Sequence, residues 1–169
     1  MSIPTVLCLL LSGFLTLNTA AAPPGPAASA FHRLQSLAGE WLGTDDHGME
    51  AHSEFKLGAG RTVVIETLSA MHMEPMLTLY SLDGDSINLA HYCPTNNQPR
   101  MRATPSSDPV KELIFEFTGA GSLADQATGH QHRLVMHFDD DNHITESWTW
   151  RANGKDTLMV FHFARQGRP

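Results

Sequence analysis

From Gly39 onward the chain changes its hydrophobic period from three to two and holds it almost to its end. Alternation of apolar and polar residues sends successive side chains to opposite faces, the signature of a half-buried β-strand. Runs of this kind predict strands over Glu40–Thr44, Ala51–Leu57, Thr62–Ser69, Met76–Leu82 and Ser86–Tyr92. They continue over Pro99–Ala103, Glu112–Thr118, His130–Phe138, His143–Arg151 and Thr157–Arg165. Between them lie Gly58-Ala59-Gly60, Asp83-Gly84-Asp85, Asp139-Asp140-Asp141-Asn142 and Asn153-Gly154. The last pair tolerates positive φ, as a tight I′ hairpin requires. Short segments joined by tight turns give an antiparallel meander, and a meander this long closes or packs as two sheets. The expectation is an all-β fold, one up-and-down barrel over residues 31–169, interrupted only by a loop at Thr118–Gly129. Before the first strand, Phe31, Leu34 and Leu37 are spaced for one or two helical turns, which Gly39 stops.

The N-terminus is different in kind. Ile3 to Leu17 is apolar, followed by small residues and then Pro and Gly. This is the pattern of a secretory signal peptide, here over residues 1–22, although no Lys or Arg precedes the apolar run. Cleavage is expected after Ala21 or Ala22, or at Ala28-Ser29-Ala30, with 23–30 a disordered leader. The apolar run is shorter than the ~20 residues that span a bilayer, so no stable membrane span is expected. Export to a periplasm or the exterior follows. Residues 1–30 carry no charge, so the net charge of −7 and all 10 histidines belong to the remainder. That balance argues against nucleic acid or an anionic membrane as partner. Cleavage would remove Cys8 and leave Cys93 alone, so no intrachain disulfide could staple the core.

Chemistry concentrates in LAHYCPTNNQPRMRA, Leu89 to Ala103. On a strand, His91 shares a face with Ile87 and Leu89, which suit a barrel interior, so His91 is expected to point inward at the open end. Pro94 and Pro99 restrict the loop. Two readings follow. In one, this is a structured hairpin whose Asn97 and Gln98 satisfy backbone groups. In the other it is a polar mouth, with His91 as acid, base or ligand and Arg100 placed by Asn97 or Gln98 to receive an anion. Alternation sets Met101 on one face and Arg100 and Arg102 on the other, so with Met101 inward the second reading needs a bulge or twist.

A second cluster is His130-Gln131-His132. Two imidazoles two residues apart on a strand share a face about 6.5–7 Å apart. They could hold one Zn, Fe or Mn ion, with His91, Glu146 or His162 as third donor. Leu134 and Met136 share the face of His132, so the pair is expected to look inward and His137 outward. The plainer alternative is two half-buried histidines satisfied by backbone or water. Glu146, Trp148 and Trp150 share one face, an aromatic wall with a carboxylate at its end. Met71, His72, Met73 and Met76 resemble a copper-binding composition, but Met71 and Met73 lie opposite His72, so core plus loop is expected. Asp139–Asn142 lacks the spacing of a calcium loop. No serine nucleophile elbow, phosphate loop or paired catalytic carboxylates are evident.

Two features carry a resemblance. Gly39-Glu40-Trp41 follows a short helix, and the last strand ends in Arg165. This resembles the calycins, the lipocalins and fatty-acid-binding proteins among them, whose first-strand Trp closes the barrel base under an Arg from the last strand. Over most of the chain the sequence is similar to secreted bacterial lipocalin-like proteins that open L-x-G-x-W-x-G and carry H-Y-C…N-Q-P-R-M, here Leu37–Gly43 and His91–Met101. The resemblance implies a calycin/lipocalin-like barrel and export, and no particular chemistry. More distantly the chain resembles nitrobindin-type haem barrels, which use a late-strand histidine as iron ligand; the last-strand histidine here is His162. The leading expectation is a barrel that binds a small, partly apolar ligand, lined by Leu79, Leu89, Met101, Phe115, Leu134, Met136 and Trp148. The alternatives are a metal- or haem-dependent enzyme and a filled, structural or partner-binding barrel.

Overall fold

Ten strands and one α-helix make up the fold of residues 24–70, 73–107, 109–125 and 127–167, which the computed structural model describes. They are α1 (Pro26–Gln35), β1 (Gly39–Asp45), β2 (Glu50–Gly58), β3 (Val63–Ala70), β4 (Met76–Asp83) and β5 (Ser86–Tyr92). After these come β6 (Gln98–Ala103), β7 (Glu112–Gly121), β8 (His130–Phe138), β9 (His143–Ala152) and β10 (Lys155–Arg165). Each strand pairs antiparallel with its neighbours in sequence, and β1 pairs with β10 to close the barrel. Closure leaves no edge strand with unpaired backbone groups. The barrel is of the calycin-like type. The Asn153-Gly154 turn joins β9 to β10 with φ of 50° and 70°, the I′ geometry its sequence favours.

The signal-peptide segment lies outside the described residues, but the expected leader does not remain irregular. α1 begins at Pro26, not near Phe31, and takes in residues 26–30. Pro26 sits in the first turn, where its missing N–H costs nothing, and Ala27, Ala30, Phe31 and Leu34 make one buried stripe. Their burial against the barrel end turns a linker-like composition into helix. β7 likewise runs to Gly121, three residues into the segment read as a loop.

α1 and Trp41 close one end. The Trp41 indole is fully buried and donates to Leu37 O at 2.8 Å. The Arg165 guanidinium lies 4.2 Å over its ring and donates to the carbonyls of Ser36 and Ala38, which the end of α1 leaves free. The Gly39, Trp41 and Arg165 signature is thus assembled as the resemblance implies. Gly43 lets β1 approach β10: a Cβ there would lie 1.9 Å from His162 O.

Alternation decides what the lumen contains. Leu89, Met101, Phe115, Leu134, Met136 and Trp148 are buried inside as expected. Leu79 is not. Thr78 and Tyr80 are its buried neighbours on β4, so Leu79 points outward.

Candidate functional site

The open half of the barrel holds a cavity of about 320 Å³. Trp148 and Trp150 from β9 form one wall, as their shared face predicts, with Met159 and Phe161 of β10 beside them. Leu68 and Met76 complete the apolar surface, and Cys93 and Thr95 of the β5–β6 loop lie at its rim. His91 and Gln131 bring polar atoms to it. Among the described residues no Lys or Arg lines the cavity. Met73 also lines it, whereas Met71 and His72, the rest of that methionine–histidine group, lie outside the described residues.

His91 faces inward at this end, as its strand position predicts, and packs against Trp148 with ring centroids 4.8 Å apart. Its Nδ1 is 2.9 Å from Thr78 Oγ1, and its Nε2 has no partner. Burial holds the imidazole pKa down to about 4, so the ring is neutral at physiological pH.

A buried polar row lies beneath His91, and most of it went unread in the sequence. Tyr80 Oη donates to Glu66 Oε2 at 2.7 Å and Ser53 Oγ donates to Glu66 Oε1 at 2.8 Å. Trp148 Nε1 donates to Glu146 Oε2 at 3.0 Å, while Glu146 Oε1 has no partner. Both carboxyls are fully buried. Burial raises the pKa of Glu66 against the hydrogen bonds from Tyr80 and Ser53. Burial, then the nearby Glu66 charge, raises Glu146 well above the ordinary carboxylate value, which favours its protonated form. The one sequence signal was Glu66 itself, a charge between Val64 and Leu68 on a core-facing row. Glu146 is therefore part of the core beneath the cavity rather than of its mouth.

The remaining predicted mouth residues disperse. Arg100 is exposed on the outer face. A bulge does occur beside it, but the extra residue, Thr118, belongs to β7 and bonds Arg100 O at 3.1 Å without turning Arg100 inward. Asn97 is buried and donates to Gly129 O at 2.8 Å, tying the β5–β6 loop to the start of β8. Gln98 is half-buried against Gly121, and Met101 is core. Asn97 thus fulfils the backbone-satisfying reading of the loop, and the anion site formed with Arg100 is not assembled.

The histidine pair is turned by a second bulge. Between Gln131 and Arg133 the β8–β9 register slips by one, so Gln131, opposite Trp150, reaches the lumen in place of His132. His130 lies opposite Arg151, away from the cavity, and the Phe117 ring packs against both imidazoles at 4.8 and 4.9 Å. Arg151 Nη1 donates to His132 Nε2 at 2.6 Å. This leaves His132 Nδ1–H to donate to His130 Nε2 at 3.2 Å, and His130 Nδ1–H to donate to Thr128 O at 2.8 Å. Desolvation and then the Arg151 charge depress His132, in keeping with a neutral ring. All four ring nitrogens are engaged, so neither imidazole has a spare lone pair for a metal. Among the described residues no three His, Cys, Asp or Glu side chains converge as metal ligands.

His162 stands on the outer face between the inward Phe161 and Phe163, 3.2 Å from Thr145 Oγ1. It reaches neither the histidine pair nor the cavity. A haem held by this last-strand histidine does not fit: its ligand faces away, and among the described residues the cavity lining has no Lys or Arg for the propionates.

No protein-family model matches the chain, and no curated protein matches it in sequence. Among solved structures, Rv2717c from M. tuberculosis superposes with a TM-score of 0.61 at 16% identity, over 85% of this chain and 99% of its own. That similarity bears on the fold. EF1p2_mFAP2b bound to DFHBI superposes with a TM-score of 0.40 at 10% identity, over 84% of this chain and 100% of its own, an overlap too slight to carry the comparison further. Among the described residues no helix is long and apolar enough to cross a membrane.

Proposed function

We propose that this protein is an exported binding barrel that takes a small, partly apolar molecule into its open half. The observation that carries this reading is the cavity of about 320 Å³, walled by Trp148, Trp150 and Met159 and floored by His91. Its size falls at the lower end of the ~300–1,000 Å³ typical of small-molecule sites. A filled structural barrel would place packed side chains there. Export rests on the apolar run from Ile3 to Leu17, and kinship with the secreted bacterial lipocalin-like proteins rests on Leu37–Gly43 and His91–Met101.

The test is a fluorescence titration with the neutral dye N-phenyl-1-naphthylamine. Wild type should bind it saturably, and Met159→Trp, which fills the cavity beside Trp148, should bind at least about tenfold more weakly. Absence of saturable binding by wild type would refute the cavity as a ligand site. The mass of the exported chain tests localisation: its N-terminus should fall between residues 22 and 31.

A further inference from the structure

We infer that the corner of the cavity where β4 and β5 meet is a site for a soft monovalent cation, Cu(I), held by Cys93, His91 and Met76. The site stands apart from the organic-ligand reading, which the dye titration tests by itself.

The strand register brings the three donors together. On β5, His91 stands opposite Thr78 of β4, and Tyr92 stands opposite Leu77. One step beyond this last pair, Cys93 and Met76 follow on the inward face, and both line the cavity beside His91. Cβ atoms at opposite positions are ~4.5–5.5 Å apart. Two residues apart on one strand face, as His91 and Cys93 are, the spacing is ~6.5–7 Å. Met76 is buried and brings a flexible thioether, while Cys93 is a half-buried free thiol. His91 is 1% exposed, and its Nε2 has no partner in the protein. Buried polar atoms are normally satisfied, so Nε2 calls for a ligand. Its Nδ1 is tied to the Thr78 hydroxyl, which can donate or accept and therefore serves either tautomer. A metal at Nε2 leaves the proton on Nδ1 and keeps that bond.

The donor types choose the ion. Thiolate and thioether are soft ligands that select Cu(I), whereas Zn(II) draws on Cys, His and carboxylate. Among the described residues no third His, Cys, Asp or Glu joins His91 and Cys93, so the remaining place falls to a methionine sulfur. Met73 and Met159 set further thioethers around the same cavity. Charge points the same way. Cu(I) with one thiolate is neutral overall, and a neutral pair can lodge where the described lining has no Lys, Arg, Asp or Glu. A divalent ion would leave a positive charge there uncompensated. Burial keeps the His91 ring neutral, so it does not repel the ion. Binding forms a Cu–S bond and releases the Cys93 proton to solvent. No electron moves, because the ion arrives as Cu(I).

The experiment is an anaerobic titration of the wild-type chain with Cu(I) at pH 7, in competition with bicinchoninate, whose Cu(I) complex is coloured. The expected result is one Cu(I) withdrawn per chain and not displaced by equimolar Zn(II). Met76→Leu, which conserves volume, should bind at least about tenfold more weakly, and Cys93→Ser at least about a hundredfold. Copper X-ray absorption of the wild-type complex should show two sulfurs and one nitrogen. Failure of the wild type to withdraw Cu(I) overturns the inference, as does Zn(II) competing on equal terms. Unchanged affinity in Met76→Leu reduces the feature to a lone reactive thiol and overturns it too. If a variant does not fold, the absorption shell decides: a shell without nitrogen, or with a single sulfur, rules out this ligand set.

Discussion

At the scale of single residues, the lumen places titratable groups of opposite kind under the same desolvation. His91 is held neutral with a pKa near 4 against an ordinary 6.5, while Glu66 and Glu146 are pushed up. The signs differ accordingly. Below pH 6.5 the unfolded chain binds the His91 proton and the folded chain resists it until about pH 4. Stability associated with His91 is therefore whole above 6.5 and is lost as pH falls toward 4, by up to ~3 kcal/mol. The glutamates act the other way, since stability tied to their protonated forms is present at low pH and lost as pH rises through their elevated folded values. Urea unfolding across pH 4–9 reads both limbs. His91→Phe should flatten the acid limb, and Glu146→Gln the alkaline one, with a gain over wild type at pH 8 of about 1 kcal/mol, or ~2–4 °C. An unaltered pH slope in either variant would refute that assignment.

At the scale of elements, two devices set the site. The bulge in β8 is the first: one extra residue exchanges His132 for Gln131 at the lumen and turns a metal-like His-x-His into an outward relay fixed by Arg151. The second is the basal lock of α1, β1 and β10. Arg165 stacks on Trp41 and also satisfies carbonyls at the end of α1, so it joins helix to barrel. Arg165→Ala should cost roughly 2–3 kcal/mol in urea unfolding, combining the stack with charged hydrogen bonds. Arg165→Lys should recover less than half of this, because an ammonium offers neither the flat face nor the fork. Full recovery by lysine would reduce the lock to charge alone.

At the scale of the molecule, closure between β1 and β10 separates a sealed base from an open, ligand-sized half. That closure includes a close backbone approach at Gly43, with no room for a Cβ beside His162 O. Gly43→Ala should destabilise the fold by at least ~3 kcal/mol, with hydrogen exchange rising first in β1 and β10. Wild-type protection in those two strands would show that closure tolerates the added methyl.

What the sequence determined by itself is whatever depends on local period and turn chemistry. Alternation yielded ten strands, Asn153-Gly154 a hairpin, and His91, Met101 and Trp148 their correct faces, because each follows from a neighbour one or two residues away, while the Trp41–Arg165 base was legible only through the resemblance to calycins. What only the tertiary structure decided depends on strands meeting. The bulges at Thr118 and His132 are relations between two strands rather than properties of one, and a slip of one residue reverses every assignment before it. Pro26–Ala30 became helix because a barrel end was there to bury it. Ser53, Glu66, Tyr80 and Thr78 lie on the successive strands β2, β3 and β4, and it is the pairing register of those strands with one another and with β5 that sets them in one row beneath His91.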